Sequence, residues 1–177
     1  KYGVIPDAVV IEGSLCGGHI GFKKDEILNN TAEPLSSLIK QTVKEIDFFE
    51  QKFGVEIPVI AGGGIFTGAD MFNIMNDGAK AVKMGNRFVT TTECDASIEF
   101  KMNYINCKED DITIIDSPVG LPGRVISNDF VKAIQQGQQK PINCGWRCLK
   151  NCDWKKVQFC VADALLNAAR GEFEHGF

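Results

Sequence analysis

Two short apolar runs that each end in glycine constrain the fold of this chain more than any other feature of its sequence. Residues 57–66 read Ile-Pro-Val-Ile-Ala-Gly-Gly-Gly-Ile-Phe, and residues 81–88 read Ala-Val-Lys-Met-Gly-Asn-Arg-Phe. Continuous apolar runs of this length that stop in glycine predict buried parallel strands. Glycine at the carboxyl end of such a strand exposes backbone N–H groups to an anion, so two neighbouring ends of this kind predict a phosphate site.

The segment between these runs predicts a helix. It is amphipathic, with Phe72 and Met75 on one face, and it ends at Asp77-Gly78, where glycine is a common helix terminator. Strand, helix and strand in this order fit a doubly wound sheet or a (β/α)8 barrel, and both bind ligands at the carboxyl ends of their strands. The alternative is that the glycines only make tight turns.

A third apolar run carries a histidine at its end. Residues 8–11, Ala-Val-Val-Ile, lead into a loop that contains Gly17-Gly18-His19, and the chain has only two histidines. An imidazole with an ordinary pKa of about 6.5 exchanges a proton near neutral pH, which makes His19 a candidate acid or base. The alternative is a histidine that makes a structural hydrogen bond. His175, near the carboxyl end, has no comparable setting.

These motifs resemble the nitronate monooxygenase family, formerly called 2-nitropropane dioxygenases. Residues 92–97 (Thr-Glu-Cys-Asp-Ala-Ser) and 117–124 (Ser-Pro-Val-Gly-Leu-Pro-Gly-Arg) add to the likeness, which runs from about residue 5 to the end. The family is similar in turn to the flavin-type enoyl-acyl-carrier-protein reductases. The resemblance implies an α/β fold. It also implies that the chain is the carboxyl-terminal part of an FMN-binding (β/α)8 TIM barrel, about its last three strands, with a helical, Cys-rich tail.

The same resemblance implies roles for individual residues. His19 is the expected active-site base, either removing the proton α to a nitro group or assisting the substrate at the flavin. Lys83 stands where the family often has glutamine; it adds a positive charge close to the phosphate, and Glu12 is its expected ion-pair partner. Asn86 replaces the usual threonine. The residues expected to line FMN are Glu12, Gly17, Gly18, Gly63, Gly64, Lys83, Met84, Gly85 and Asn86.

The chain length favours part of a larger enzyme. A (β/α)8 barrel typically needs about 250 residues, and this chain has 177. We therefore expect the carboxyl-terminal part of a longer polypeptide, inactive alone, whose partner is the amino-terminal half of the barrel. Residues 1–125 are assigned to the barrel and residues 126–177 to the tail packed on it.

Composition narrows the class of protein. Nineteen basic and 23 acidic residues give a formal charge of −4, which argues against a nucleic-acid partner. Apolar stretches fall short of the roughly 20 residues of a membrane helix. Seven cysteines, an odd number, without a secretory signal favour free thiols and a cytoplasmic enzyme. A homodimer is compatible with these features.

Periodicity predicts further elements. Helices are expected over residues 34–53, from an Asp95 cap to about Asn106, and over 154–170. Residues 107–124 are expected to form a connection across the barrel, and the glutamine-rich segment 132–141 an exposed linker.

Four tail cysteines follow a C-x3-C-x3-C-x7-C spacing: Cys144, Cys148, Cys152 and Cys160. Thiolates gathered in this way bind zinc or an iron–sulfur cluster. The spacing matches none of the usual signatures, and positions i, i+4 and i+8 also share one face of a helix. Buried free thiols and redox-active pairs are the alternatives.

Three functions stay open at this point. The first is an FMN-dependent nitronate monooxygenase, which oxidises alkyl nitronates with O2. The second is an enoyl-acyl-carrier-protein reductase that takes electrons from NADH or NADPH and reduces an enoyl thioester. The third is a non-catalytic barrel that binds a phosphate-bearing ligand, for which a base at His19 would have no use. A phosphosugar or nucleotide-biosynthesis barrel also has paired glycine loops, but would not be expected to carry the Gly-Gly-His loop.

Overall fold

The computed structural model describes residues 4–138, 144, 147–150 and 152–177. These residues form two compact units. The first contains the described residues of Lys1–Cys16 and Asp25–Gly85, and the second those of Gly17–Lys24 and Asn86–Phe177. The units therefore do not follow the division at residues 125 and 126, since that boundary falls inside a strand of the second unit.

Strands and helices are interspersed along the described chain. The strands are β1 (Val9–Glu12), β2 (Gly18–His19), β3 (Val59–Gly62), β4 (Ala81–Lys83), β5 (Ile112–Asp116) and β6 (Pro122–Ile126). The helices are α1 (Lys24–Leu28), α2 (Leu35–Phe53), α3 (Gly68–Asn76), α4 (Asn86–Val89), α5 (Ile98–Asn106), α6 (Asp129–Gln135) and α7 (Val161–Arg170). The chain is thus of the α/β class.

The first unit is built on a parallel sheet of order β1-β3-β4. Its register aligns Ile11 with Ala61 and Val82, one residue before the strands end. The three predicted strands and the strand–helix–strand order of the last two are confirmed. Parallel pairing brings the carboxyl ends of all three strands to the same edge of the sheet.

Helix α2 covers one face of this sheet, as its apolar spacing predicts. Ile39 is fully buried against Ala61, Ile65 and Ala79, and apolar side chains from the strands pack around this cluster. The helix ends at Gly54, which adopts a left-handed conformation and donates its N–H to the carbonyl of Glu50.

Helix α3 is present as predicted, with Asp77 as its C-cap. The side chains of Phe72 and Met75 are exposed, however, and Ile74 packs against the core instead. Thr67 caps the amino end: its hydroxyl accepts from the N–H of Asp70, whose carboxylate accepts from the N–H of Thr67 at 2.8 Å. This reciprocal pair is a capping box.

The second unit contains an antiparallel sheet of order β2-β6-β5. The prediction of a connection over residues 107–124 was therefore wrong, because β5 and β6 form a hairpin there. β-Branched Ile112, Ile114 and Ile115 favour a strand. Pro118 and Gly120 mark the turn between the two strands, whereas Pro122 and Gly123 belong to β6.

The second unit departs from prediction in three further places. Ser97 rather than Asp95 caps α5, its Oγ accepting from the N–H of Phe100 at 3.2 Å. Residues 132–135 belong to α6 rather than to a linker, because Phe130, Val131 and Ile134 are buried; residues 139–141 lie outside the described residues. Helix α7 begins at Val161, later than predicted.

Three aromatic rings hold the tail of the second unit together. Phe159 contacts Phe130 and Phe177 edge-on, with ring centroids 5.9 and 5.7 Å apart. Val131 and Ala164 are buried in the same cluster.

Among the helices that the structure describes, none has both the length and the apolar character needed to cross a membrane.

Candidate functional site

The carboxyl edge of the parallel sheet carries an ion pair in the first unit. Glu12, Gly62 and Lys83 lie in register at the ends of β1, β3 and β4. The ammonium group of Lys83 pairs with the carboxylate of Glu12 across the middle strand. The predicted pairing of these two residues is thus present, at the edge where parallel sheets bind ligands.

Gly63 and Gly64 follow β3 with φ angles of +95° and +78°, which favour glycine. A Cβ on Gly63 would lie 2.9 Å from the carbonyl oxygen of Gly13 and 3.1 Å from the backbone nitrogen of Cys16. The turn of residues 13–16, closed by a 3.2 Å hydrogen bond from the N–H of Cys16 to Gly13, therefore packs directly on Gly63. Packing within the unit is enough to require glycine at this position.

Gly17 and Gly85 differ from this pair, because neither conformation nor space within the described chain requires glycine there. Neither has a φ in the left-handed region. A Cβ on Gly85 of the first unit would meet nothing within 4 Å. A Cβ on Gly17 of the second unit would make only an ordinary 3.8 Å contact with Oδ1 of Asn86. Close approach of a ligand at these two glycines stays a prediction.

Among the residues predicted to line FMN, Met84 has a side chain that packs on the core of the first unit. It packs against the apolar cluster of Ile39 and Ala61, on the α2 side of the sheet. Strand side chains alternate between faces, so the neighbour of Lys83 turns away from the side on which the ion pair lies. The side chain of Met84 is half-buried there, and its role in lining FMN stays a prediction.

His19 lies in the second unit, at the end of β2. This strand is two residues long and pairs Gly18 with Arg124 and His19 with Gly123 of β6. A hydrogen bond of 2.6 Å joins Nε2 of His19 to Oγ of Ser117. The imidazole is half-buried, and its neighbour Ile20 donates its N–H to the carbonyl of Pro122 at 2.9 Å.

Ser117 begins the tight turn that joins β5 to β6. Its carbonyl accepts from the N–H of Gly120 at 2.9 Å, its own N–H donates to the carbonyl of Leu121 at 3.2 Å, and its Oγ accepts from the N–H of Val119 at 3.4 Å. Beside it, Asp116 forms a 2.8 Å ion pair with Lys24 of α1. Ser117 belongs to the motif of residues 117–124, but the sequence did not predict a role for it. A serine at the end of a strand, before Pro and Gly, is the pattern that could have indicated a turn residue here.

This geometry suits a base that is held in one orientation. A neutral imidazole has one protonated and one bare nitrogen, and a hydrogen bond at Nε2 determines how the ring is presented. Oγ can donate to Nε2 or accept from it, because a hydroxyl does both. The arrangement of a histidine, a hydroxyl and a rigid turn can therefore hold and move a proton at the imidazole.

The four tail cysteines are free thiols. Burial raises the pKa of Cys152, and the neighbouring thiols of Cys144, Cys148 and Cys160 raise it further. The N–H of Arg147 donates to Sγ of Cys144 at 3.4 Å. Within the described ranges, no three His, Cys, Asp or Glu side chains form a group that could hold a metal ion. A metal site at these four cysteines stays a prediction.

Comparison with known proteins gives a consistent result. The family model described as nitronate monooxygenase matches residues 1–175. The chain belongs to the nitronate monooxygenase family. Membership supports a flavin-type oxidoreductase as the class of protein. Solved structures support a relation of the family to FabK. The α/β class is confirmed by the same structures.

The curated relatives of this nitronate monooxygenase family member match it over only part of their own length. A probable nitronate monooxygenase of Staphylococcus haemolyticus (strain JCSC1435) is 37% identical over 133 residues, which are 73% of this chain and 34% of that protein. One from Staphylococcus aureus (strain Newman) is 34% identical over 131 residues, with the same coverage of 73% and 34%. The chain thus spans about a third of the length of the curated relatives it matches.

Two solved structures are similar to this chain at 27% sequence identity. FabK from Thermotoga maritima superposes with a TM-score of 0.65 over 96% of this chain and 45% of that chain. Nitroalkane oxidase from Streptomyces ansochromogenes gives a TM-score of 0.53 over 71% of this chain and 34% of its own.

Proposed function

We propose that these residues belong to an FMN-dependent nitronate monooxygenase, which oxidises alkyl nitronates with O2. The observation that carries the proposal is the 2.6 Å hydrogen bond between His19 and Ser117. A histidine at the end of a strand two residues long, fixed by a hydroxyl in a tight turn, is suited to proton transfer. A barrel that only bound a phosphate-bearing ligand would have no use for it.

The residues at the strand ends fit FMN as the cofactor. Gly85 leaves open space for a ligand, and Lys83 provides a positive charge for a phosphate. The candidates to line FMN in the second unit, by their place in the family motif, are Gly17, Gly18 and Asn86. A bound FMN supplies the exchange of electrons with substrate and oxygen, while the protein supplies binding and orientation.

We assign the proton-transfer step to His19. A nitroalkane loses the proton α to its nitro group to become a nitronate, and the bare ring nitrogen of a neutral imidazole accepts such a proton. Ser117 is a positioning residue in this scheme, because it contacts the imidazole and fixes its orientation. The ion pair of Lys24 with Asp116 anchors the segment that follows β2 to the end of β5.

A second candidate is an NAD(P)H-dependent flavin enoyl-acyl-carrier-protein reductase. The observation that favours it is the superposition on FabK, which covers 96% of this chain, against 71% for nitroalkane oxidase. The two candidates share the flavin and differ in electron donor and acceptor. The chain spans about a third of its curated relatives, and we propose that activity requires the longer polypeptide.

An anaerobic absorbance titration of the full polypeptide, purified without added cofactor, tests this proposal. Bleaching of the flavin bands by a nitronate, with no effect of NADH or NADPH, is the expected result. Bleaching by the reduced nicotinamide alone would favour the reductase. A protein without flavin bands that takes up no added FMN would contradict both and leave the phosphate-ligand binder.

A further inference from the structure

A small pocket of the second unit adjoins Ser117, the residue that bonds to His19. Its volume is about 150 Å³, and residues of the β5–β6 turn, of α6 and of the segment before α7 line it. Four of the lining residues have polar side chains: Asp116, Ser117, Lys156 and Gln158. A polar pocket of this volume has room for water. Ser117 is therefore in contact with both the candidate base and a group of polar side chains.

The amide of Gln158 has an unsatisfied acceptor. Its Oε1 is buried and has no hydrogen-bond partner among the residues that the structure describes. A buried acceptor without a donor is unfavourable, and most such atoms in folded proteins bond to protein or to ordered water. The last torsion of a glutamine side chain is broad, so rotation of the amide can bring Oε1 to the pocket that the same residue lines.

The two charged side chains of the pocket have partners of their own. Asp116 pairs with Lys24 at 2.8 Å, and Lys156 pairs with Asp153 at 3.0 Å. Among the polar residues of the pocket, Gln158 thus has an acceptor that lacks a donor. The hydroxyl of Ser117 has one hydrogen to donate.

The direction of the bond between Ser117 and His19 decides the tautomer of the imidazole. If Oγ donates to Nε2, the hydrogen of the neutral ring is on Nδ1; if Oγ accepts, the hydrogen is on Nε2. Oγ already accepts from the N–H of Val119 at 3.4 Å. Because a hydroxyl has a single hydrogen, a bond from it toward Gln158 leaves Oγ as the acceptor for Nε2–H.

We propose that Gln158 accepts the hydroxyl hydrogen of Ser117 through water in the pocket and thereby holds His19 in the tautomer with its hydrogen on Nε2. Nδ1 is then the basic nitrogen of the ring. A bridging water is nearly as good a link as a direct hydrogen bond. Gln158 is a positioning residue, because it acts through Ser117. The tautomer is independent of the reaction, whereas its effect on catalysis rests on the proposed function.

Long-range 1H–15N NMR of the full polypeptide, labelled with 15N in histidine, reads the tautomer directly. Spectra are recorded at a pH at which the ring is neutral, and the signal of His19 is assigned by its loss in His19→Gln. The unaltered protein should have the hydrogen on Nε2. Gln158→Leu removes the acceptor and should move the ring toward the Nδ1–H tautomer, whereas Gln158→Glu keeps an acceptor and should retain the Nε2–H tautomer.

Gln135→Leu is the matched control for these variants. Gln135 is a glutamine of the same unit that does not line the pocket, and its amide donates to Oγ1 of Thr113 at 3.2 Å. Its replacement should leave the tautomer unchanged. In the proposed reaction, Gln158→Leu should lower kcat/KM for a neutral nitroalkane by up to about tenfold, since part of the imidazole then has the wrong tautomer. Gln158→Glu should restore most of this activity.

Two results would overturn the inference. One is an Nδ1–H tautomer in the unaltered protein, a measurement that needs no Gln158 variant to fold. The other is an unchanged tautomer in Gln158→Leu, which would leave Asp116 as the acceptor for Ser117. A tautomer that changes in Gln158→Leu while kcat/KM stays the same would support the inference and contradict the proposed role of His19 as the base.

Discussion

Nε2 of His19 and Oγ of Ser117 lie 2.6 Å apart although the two residues are separated by 98 positions in the sequence. The hairpin of β5 and β6 accounts for this, because β2 pairs with β6 while Ser117 begins the turn that precedes it. The candidate base and the residue that orients it are thus positioned by one small sheet.

Replacing either member of this pair should reduce activity without loss of flavin. With a neutral nitroalkane as substrate, which must lose its α proton, we expect His19→Gln to lower kcat/KM at least a hundredfold, the usual contribution of a general base. Ser117→Ala should cost about tenfold, because the ring loses its orientation but keeps its chemistry. Steady-state kinetics over a range of pH, with flavin content measured from absorbance, check both values.

Ser117→Thr is the control for this pair, since it keeps the hydroxyl and should restore most of the activity. A pH profile that is the same in Ser117→Ala and in the unaltered enzyme would argue that the serine has only a structural role. Retention of full activity in His19→Gln would remove the histidine from the mechanism.

Gly63 should tolerate no side chain. Gly63→Ala puts a Cβ 2.9 Å from a carbonyl oxygen at a φ of +95°, and strain of this kind costs about 1–3 kcal/mol. We expect a lower free energy of unfolding in urea. Gly68→Ala is the matched control in the same unit, since a Cβ there meets nothing within 4 Å. Equal stability of the two variants would contradict the packing of residues 13–16 on Gly63.

The capping box of α3 should make stability depend on pH. The hydroxyl of Thr67, together with the backbone N–H groups of Thr67 and Phe66, lowers the pKa of Asp70 below its ordinary value. Its contribution is therefore complete above the unfolded-state pKa of about 3.9 and is lost as the pH falls through the folded-state pKa. Asp70→Asn should reduce the difference between urea midpoints at pH 6 and pH 3. An unreduced difference would show that other groups cause the acid sensitivity.

The aromatic cluster of the tail should be a major source of stability for the second unit. Phe159 is buried between Phe130 and Phe177, so Phe159→Ala should lower the free energy of unfolding by about 3–5 kcal/mol. Leu165→Ala removes an exposed side chain of α7 and should cost less than about 1 kcal/mol. Chemical denaturation measures both, and similar losses would mean that the cluster is not the core of the tail.

Local patterns predicted the parallel part of the fold well. Apolar runs that end in glycine gave β1, β3 and β4, and helical spacing gave α2, whose buried side chains repeat at that spacing. Helix α3 was also placed correctly, although Phe72 and Met75 of its predicted apolar face are exposed. The antiparallel sheet was missed because its pairing is non-local: β2 has only two residues, and the Pro and Gly of residues 118–123 obscured the flanking strands.

The candidate site was predicted where family motifs carried the information. The pairing of Glu12 with Lys83 came from there, and His19 came first from the chemistry of its Gly-Gly-His loop, whereas the contact of His19 with Ser117 requires a register that spacing does not reveal. Gly63 was assigned to a ligand, but the structure explains it by the turn of residues 13–16. The family resemblance assigned Met84 to the cofactor; its half-buried side chain packs on the core of the first unit, and its contact with a cofactor stays a prediction.

The brevity of β2 has a consequence for how the protein matures. The pairing of only two residues stabilises β2 weakly. His19 therefore reaches its position only when β6 is already formed, and β6 lies far downstream in the sequence. During synthesis on the ribosome, the parallel sheet of the first unit can form long before β6 has emerged. The candidate acid–base group is accordingly positioned later in synthesis than the parallel sheet is formed.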